Sequence, residues 1–540
     1  LASIEEVLLG SSSGDKSINL SAVLLFKSVG QVVKYCMVVG SYPNKQHGSR
    51  RQIAVGAWVK AIAALSLVCA IAATIAIAEN SANTPGIHYR HSRAVDMWLP
   101  YWTDKNGDGD GWKDVQRHAD ELDEVSFFAF SADPTTGDLT NEGLDHGMKP
   151  QTIVEQVGWL HTRDVAALCT VTQFDHVGEM LSEPQRLQHL INSIVDTVTT
   201  YGFDGVDVDF EDFKAVAPGE SEQYTDFIQS LSIALHAKVD SFGMPMLVEA
   251  TVLPHTDRGT FAFVDFNSLA KTDVDRIRVM SYDENYSGSK IAGASAPAPW
   301  VASVATYLGS LDVPQWKFVL GVPGYGYRWP VVSGDDWTTM GKGYSVTYPA
   351  AQSLMTAHKV ARKWSDDQRS PYFNYTVSGQ TWVAFYEDAE SWQTKLQTVL
   401  LPSQLGGVVV WAAGFEDPDS WPVIDANLAT GEPVYGAVGT CYWRYGGGAR
   451  LGSAVEKEYD AGVTQLGTLN GRAGREQDFE NGNIYYEWGK PRAFVVDGNI
   501  LAAYKSAGGP AGTYGFPISD AALTANGATS QQFERGTISD

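Results

Sequence analysis

Three carboxylates spaced two residues apart carry the strongest chemical signal in the chain. They fall in Phe203-Asp204-Gly205-Val206-Asp207-Val208-Asp209-Phe210-Glu211. Side chains alternate between the two faces of a strand, so Asp207, Asp209 and Glu211 share one face and Val206, Val208 and Phe210 share the other. Three ionised carboxylates on one buried face repel each other. Such a cluster must share protons, which raises at least one apparent pKa. A carboxyl group kept protonated near neutral pH can act as a general acid. The same alternation could instead hold a divalent cation. A satisfied polar core is the third reading, at a heavy desolvation cost.

The elements around this segment say how it would be positioned. Eight short apolar runs recur: Ala94–Tyr101, Val125–Phe130, Val165–Val171, Phe203–Glu211, Met246–Leu253, Arg276–Tyr282, Phe318–Pro323 and Gly407–Ala412. Helix-like stretches separate many of them. Pro184–Thr200, for example, carries Leu187, Leu190, Ile191, Ile194 and Val198 at helical spacing. Repeated strand–helix alternation predicts an α/β fold, a parallel (β/α)8 TIM barrel. Glu211 ends the fourth strand, and barrel sites sit at the C-terminal ends of strands. The longest interval, between strands seven and eight, is rich in Trp and Tyr and predicts an insertion at about 330–385 beside the site.

The 540 residues are 44% hydrophobic and 19% charged, which is enough for a large core. A formal net charge of −24 argues against a nucleic-acid partner and against docking on anionic lipid. The 16 Trp, 24 Tyr and 21 Phe suit an aromatic-lined site for an uncharged ligand. Four Cys exclude a disulfide framework, and Cys169, inside an apolar run, reads as a buried free thiol. Residues 1–78 read as an upstream extension, with the first Met at Met37, followed by a signal peptide. Basic Lys45, Arg50, Arg51 and Lys60 precede the apolar stretch 61–78, which ends in Ala76-Ile77-Ala78. The expected location is secreted or extracellular, with an uncleaved membrane anchor as the alternative.

The motif D-G-x-D-x-D-x-E on a fourth barrel strand resembles the signature of family 18 glycoside hydrolases, the chitinase family. Further matches follow in order: Met280-Ser281-Tyr282-Asp283 on strand six, Leu320-Gly321-Val322-Pro323-Gly324-Tyr325-Gly326 on strand seven, and Gly407-Val408-Val409-Val410-Trp411 on strand eight. The resemblance covers about 90–428 and implies residue roles. Glu211 would protonate the glycosidic oxygen and then activate water. Asp209 would orient the substrate's 2-acetamido group and share a proton with Asp207. Tyr282 would hydrogen-bond the acetamido oxygen. Asp283 and Tyr325 would bind the sugar, and Trp411 would stack beneath it. The implied reaction is substrate-assisted retaining hydrolysis, with no cofactor and no catalytic metal. One departure is Leu168-Cys169-Thr170-Val171-Thr172-Gln173-Phe174, where the family often carries S-x-G-G.

Tyr282-Asp283-Glu284, Ala296-Pro297-Ala298-Pro299-Trp300-Val301 and Phe385-Tyr386-Glu387-Asp388-Ala389 look more like bacterial spore-cortex and peptidoglycan glucosaminidases than like large secreted chitinases. The implied substrate is therefore a glycan containing N-acetylglucosamine, either chitin or peptidoglycan. The rival reading is a non-catalytic lectin on the same barrel, which the presence of Glu211 disfavours. Asp104–Asp114 has calcium-loop spacing without the bidentate Glu at position 12, so a structural calcium ion and a solvated loop both fit. After 445, Phe479-Glu480-Asn481-Gly482-Asn483-Ile484 is echoed by Phe533-Glu534-Arg535-Gly536-Thr537-Ile538, and Leu451-Gly452 by Tyr514-Gly515-Phe516-Pro517. These echoes resemble LGFP repeats over 445–540, implying a bacterial cell wall as partner.

Overall fold

The computed structural model describes residues 6–8, 17–28, 31–43, 88–104, 110–144, 148–211, 219–257, 263–332, 337–464, 467–468, 473–524 and 527–540. The apolar leader expected at 61–78 and residues 105–109 of the acidic loop lie outside the described residues. The chain divides into two units, Leu1–Thr84 and Pro85–Asp540. In the first, Glu6–Leu8, Ser17–Ser28 and Gln31–Pro43 form a three-stranded antiparallel sheet. No helix among the described residues is long and apolar enough to cross a membrane.

The second unit is built on a closed parallel barrel. Its strands are β1 (Ala94–Pro100), β2 (Glu124–Ala132), β3 (Ala166–Gln173), β4 (Gly205–Phe210), β5 (Leu247–Val252), β6 (Arg276–Val279), β7 (Phe318–Pro323) and β8 (Gly407–Trp411). Each pairs in parallel with the next, and β8 pairs with β1. This is the (β/α)8 TIM barrel that the alternation predicts. Closure leaves no edge and buries both strand faces. On β4, Val206, Val208 and Phe210 enter the main apolar core, where Phe210 stacks on Phe227 with ring centroids 5.6 Å apart. Phe227 belongs to the helix Glu220–His236, which returns the chain from β4 to β5. The predicted helix after β3 runs Pro184–Tyr201. Pro184 opens it, Glu183 caps the Arg186 N–H at 2.7 Å, and Gly202 ends it at φ 78°.

A repeated brace closes the N-terminal end of the barrel. Asp123, Asp204 and Asp275 immediately precede β2, β4 and β6. They accept the N–H groups of Val95, Ala167 and Val248 on the preceding strands at 2.9, 2.8 and 2.8 Å. These amides would otherwise be buried donors with no partner. His161 and His236 end the helices before β3 and β5, and they back two of the braces. His161 Nε2 lies 2.8 Å from Asp204, and His236 Nε2 lies 2.9 Å from Asp275.

The interval between β7 and β8 folds as a five-stranded antiparallel sheet. Its strand order is Tyr344–Thr347, Tyr325–Val331, Gln380–Phe385, Ser370–Val377 and Lys363–Ser365. Helix Tyr348–His358 packs on one side of it through Ala351 and Met355. The sheet starts at Tyr325, one residue after Gly324, so its first strand grows directly out of β7 and borders the cleft.

The sequence echoes after 445 are two copies of one arrangement. Two-residue turns join Gly474–Phe479 to Gly482–Glu487, and Thr529–Phe533 to Gly536–Ser539. In each copy a left-handed glycine precedes a backbone N–H that reaches the turn glutamate: Ser453 to Glu480 at 3.0 Å, and Phe516 to Glu534 at 3.2 Å. Gly452 (φ 75°) and Gly515 (φ 73°) are required there. An added Cβ would stand 2.3 and 2.2 Å from those carboxylates. A buried tyrosine bonds each glycine carbonyl, Tyr442 at 3.0 Å and Tyr504 at 2.6 Å.

The histidine braces make stability depend on pH. Burial works against a charged imidazole. The hydrogen bond and charge of Asp204 outweigh it and hold His161 above its ordinary value. Burial likewise opposes ionised Asp204, but His161, Ser241 and the Ala167 N–H hold it below the usual carboxylate range. The His161 contribution is fully present below about pH 6.5, the unfolded value, and is lost as pH rises through the higher folded value. The Asp204 contribution is lost as pH falls through its lowered value. His161→Gln should therefore lower stability by about 2 kcal/mol at pH 6 and by clearly less at pH 8.5. Urea unfolding at the two pH values checks this, and an equal loss at both would contradict it.

Candidate active site

Asp207, Asp209 and Glu211 stand in line up the inner face of β4, from the barrel interior to its C-terminal mouth. Asp207 is fully buried, Asp209 is buried and Glu211 is half-buried. Asp207 is saturated with donors. Its Oδ2 accepts the Trp98 indole N–H at 2.8 Å and the Thr170 hydroxyl at 3.0 Å, and its Oδ1 accepts the Thr251 hydroxyl at 2.7 Å. Arg278 Nη1 lies 3.4 Å from the same Oδ2. Asp209, one step higher, has a buried Oδ1 with no hydrogen-bond partner.

These surroundings separate the protonation of the three groups. Burial, then the charges of Glu211 and Asp207, push the Asp209 carboxyl well above the usual range. Burial, then the charge of Asp283, push Glu211 up to about 7. Burial and the charges of Asp209, Glu211 and Asp283 push the Tyr282 phenol upward, so it remains a hydrogen-bond donor. The expectation of a proton shared between Asp207 and Asp209 is thereby narrowed, because Asp207 already receives three hydrogen bonds and an ion pair.

Asp283 follows β6 in a left-handed conformation, φ 64°. Three hydroxyls hold it: Ser295 at 3.0 Å, Tyr325 at 2.5 Å and Tyr327 at 3.0 Å. Tyr325, expected to bind sugar, thus spends its hydroxyl on Asp283 while its ring lines the cleft. Trp411 ends β8 beside Trp98, Trp102 and Phe128, with ring centroids at 5.7, 6.1 and 4.8 Å in edge-to-face arrangements. The peptide bond after Trp411 is cis. Asp209, Glu211, Tyr282, Asp283, Tyr325 and Trp411 open onto one cleft of about 1330 Å³, and Asp207 lies deeper. Phe174, Tyr286 and Trp300 line its outer reaches.

All seven residues singled out in the sequence therefore meet at one end of the barrel. Sequence reasoning did not find Tyr327, Thr170, Thr251, Trp98 and Arg278. Arg276 and Arg278 did leave a signal, because two arginines at alternate positions in an apolar strand must point inward. They meet Asp96, Glu124 and Glu249, whose carboxylate oxygens lie within 4.8 Å of one another. That grouping could suit a cation, but two guanidinium groups already serve there. Arg278 Nε is 2.6 Å from Glu249, and Arg276 Nη1 is 3.2 Å from Asp96. The divalent-cation reading of the β4 carboxylates fails for a similar reason, since Asp207 already faces the positive charge of Arg278.

Comparison with known proteins agrees with this geometry. Residues 172–416 match the profile of glycosyl hydrolases family 18, and residues 463–512 match the LGFP repeat. Mouse (Mus musculus) chitotriosidase-1 is 28% identical over 270 residues, covering 44% of this chain and 55% of that protein. The cortical fragment-lytic enzyme of Bacillus subtilis (strain 168) is 25% identical over 252 residues, covering 46% of this chain and 55% of that protein. The chain thus spans about half the length of these curated relatives. The crystal structure of the Bacillus cereus spore cortex-lytic enzyme SleL shares the fold, with TM-score 0.51 and 20% identity over 63% of this chain and 75% of that one. The barrel of this chain is thus similar to glycosyl hydrolases family 18, and a segment similar to the LGFP repeat follows it.

Proposed function

We propose that the chain is a glycoside hydrolase that cleaves β-1,4 bonds next to N-acetylglucosamine by substrate-assisted retaining hydrolysis. The observation that carries this reading is the line of three carboxylates up the inner face of β4 to the cleft. Burial and Asp283 raise Glu211 to about 7 at the cleft, above Asp209, which burial pushes well above the usual carboxylate range, and a saturated Asp207. Protonated Glu211 donates to the glycosidic oxygen as the bond to the leaving sugar breaks. The substrate's acetamido oxygen attacks the anomeric carbon from the other side, in the place of a second enzymic carboxylate. The acetamido N–H donates to an oxygen of the Asp209 carboxyl, which orients the group and steadies the positive charge that develops on its N–C=O unit, while the Tyr282 hydroxyl orients the acetamido oxygen. Glu211, now ionised, takes a proton from water, and that water opens the cyclic intermediate with net retention. Trp411 offers the ring face beneath the sugar, and Asp283 anchors its hydroxyls. No cofactor is indicated for this chemistry.

A lectin reading has less support, because binding alone needs no carboxyl raised to about 7. The LGFP repeat and the cortical fragment-lytic relative support a bacterial wall glycan as a substrate beside chitin-type oligomers, and a secreted or wall-associated location. Incubating the protein with N-acetylglucosamine oligomers and with purified peptidoglycan, side by side, and identifying the new reducing ends distinguishes the two. No product from either rejects the hydrolase reading.

Two further outcomes are expected. Glu211→Gln should lower kcat on a chromogenic N-acetylglucosamine oligomer by at least about 100-fold with the fold intact. Wild-type turnover by that variant would remove Glu211 from the reaction. Asp283→Asn removes the negative charge that helps raise Glu211. The acid form should then be lost at lower pH, and the alkaline limb of kcat/KM should move below its wild-type position near 7. A pH–rate profile of both proteins checks the direction, and a limb that moves to higher pH would contradict it.

A further inference from the structure

The buried charges beneath the cleft are not used by the reaction as set out above, yet they touch it through one side chain. Arg278 Nη1 lies 3.4 Å from Asp207 Oδ2 and donates to Ser126 Oγ at 2.6 Å. Its Nε lies 2.6 Å from Glu249, and its Nη2 pairs with Glu124. Arg276 stands beside it, with Asp96 at 3.2 Å, Glu249 at 3.6 Å and Glu124 at 3.9 Å. Arg278 is entirely buried, so these contacts are not screened by water. The groups facing it are Asp96 from β1, Glu124 from β2, Asp207 from β4, Glu249 from β5 and Arg276 from its own strand. The Cys169 thiol on β3 is also near Asp207, and burial keeps it neutral.

The two donors that cannot turn away decide where a proton can sit. An indole N–H and a guanidinium have hydrogens to give and no lone pair to offer. The indole N–H donates to Asp207 Oδ2 at 2.8 Å, and the guanidinium charge stands 3.4 Å from the same oxygen. A proton on that oxygen would meet the fixed indole hydrogen and the positive charge of the guanidinium. On Oδ1 it would displace the 2.7 Å hydrogen bond from Thr251. Asp209, by contrast, has a buried Oδ1 with no donor.

We infer that Arg278 is a positioning residue for catalysis: it fixes Asp207 as the proton-free member of the Asp207–Asp209 pair and so keeps the single proton on Asp209, where the acetamido group is received. This rests on the hydrolase reading given above. Arg278 touches no substrate and acts only through Asp207. The carboxylates Glu124, Glu249 and Asp96 hold the guanidinium in place from below.

The test compares full-length wild type with Arg278→Gln, Arg278→Lys and the charge-balanced Arg278→Gln/Glu249→Gln. The double variant guards against a single variant that does not fold. Circular dichroism and thermal melting establish the fold of each. In Arg278→Gln and the double variant, kcat on a chromogenic N-acetylglucosamine oligomer should fall on the order of tenfold, with KM within about twofold. The acid limb of kcat/KM should move to higher pH, because Asp207 can then take a proton. Arg278→Lys should restore most of the wild-type limb. A folded variant with the wild-type acid limb and kcat overturns the proposal. So does a loss of kcat with both limbs unmoved. A separate arm does not need turnover. Carboxyl ¹³C NMR of aspartate-labelled protein, with Asp209→Asn for assignment, should show one protonated carboxyl at Asp209 in wild type and a proton spread over both aspartates in the folded variants. A proton on Asp207 in wild type overturns the proposal. Wild-type protein inactive on every acetylated glycan would reject the hydrolase reading, and the NMR arm would then judge Arg278 alone.

Discussion

Everything at the mouth of this barrel depends on how one buried carboxylate is held. Asp207 has no access to water, and a bare carboxylate in that position would cost several kcal/mol. The chain answers with three neutral donors from three strands and a guanidinium from a fourth. This fixes the barrel's angular register as well as a charge. Trp98 on β1, Thr170 on β3, Thr251 on β5 and Arg278 on β6 must all turn inward at one level to reach it. A one-residue slip of any of these strands would turn its donor outward. The electrostatics of Asp209 are built on that anchor, because the charges of Glu211 above it and Asp207 below it on the same strand face both push its carboxyl upward.

The tyrosines around Asp283 do a similar job at the rim. Asp283 sits in a conformation that side chains other than glycine adopt rarely, and three hydroxyls keep it there. Two of those hydroxyls come from the first strand of the inserted sheet. The insertion therefore sets the height and direction of a carboxylate that tunes Glu211. It does more than wall the cleft.

Much of this was legible in the sequence. Period-two alternation at 203–211 placed the three carboxylates on one face because a strand has no other way to arrange them. Eight apolar runs found the eight barrel strands, since strands buried on both faces must be apolar throughout. Tyr282, Asp283 and Trp411 converge because barrel strand ends meet at one mouth. The donors to Asp207 were harder to see. A threonine or a tryptophan in an apolar run reads as packing until its partner across the barrel is known, and that partner lies 37 to 109 residues away. Tyr325 was assigned to sugar for the same reason: the sequence cannot show that a neighbouring aspartate claims its hydroxyl first. The paired repeats showed through their echoes, but the tyrosine that ties each glycine carbonyl lies outside the echoed words.

The seat of Arg276 has a consequence for how the whole unit would meet a surface. Its guanidinium donates to the Trp443 carbonyl at 3.2 Å and lies 4.1 Å from the centre of the Trp443 ring. Arg444 next to it pairs with Asp240 in the loop before β5. The helix that leads into the repeats, Gly436–Arg444, is thus tied to the floor of the barrel, at the end opposite the cleft. It is a pedestal and not a leash. The repeats stand behind the barrel, and the cleft faces the other way, held off by roughly 20 Å of strand. An occupant of the cleft and an occupant of the repeat-bearing segment would therefore stand at opposite ends of the barrel.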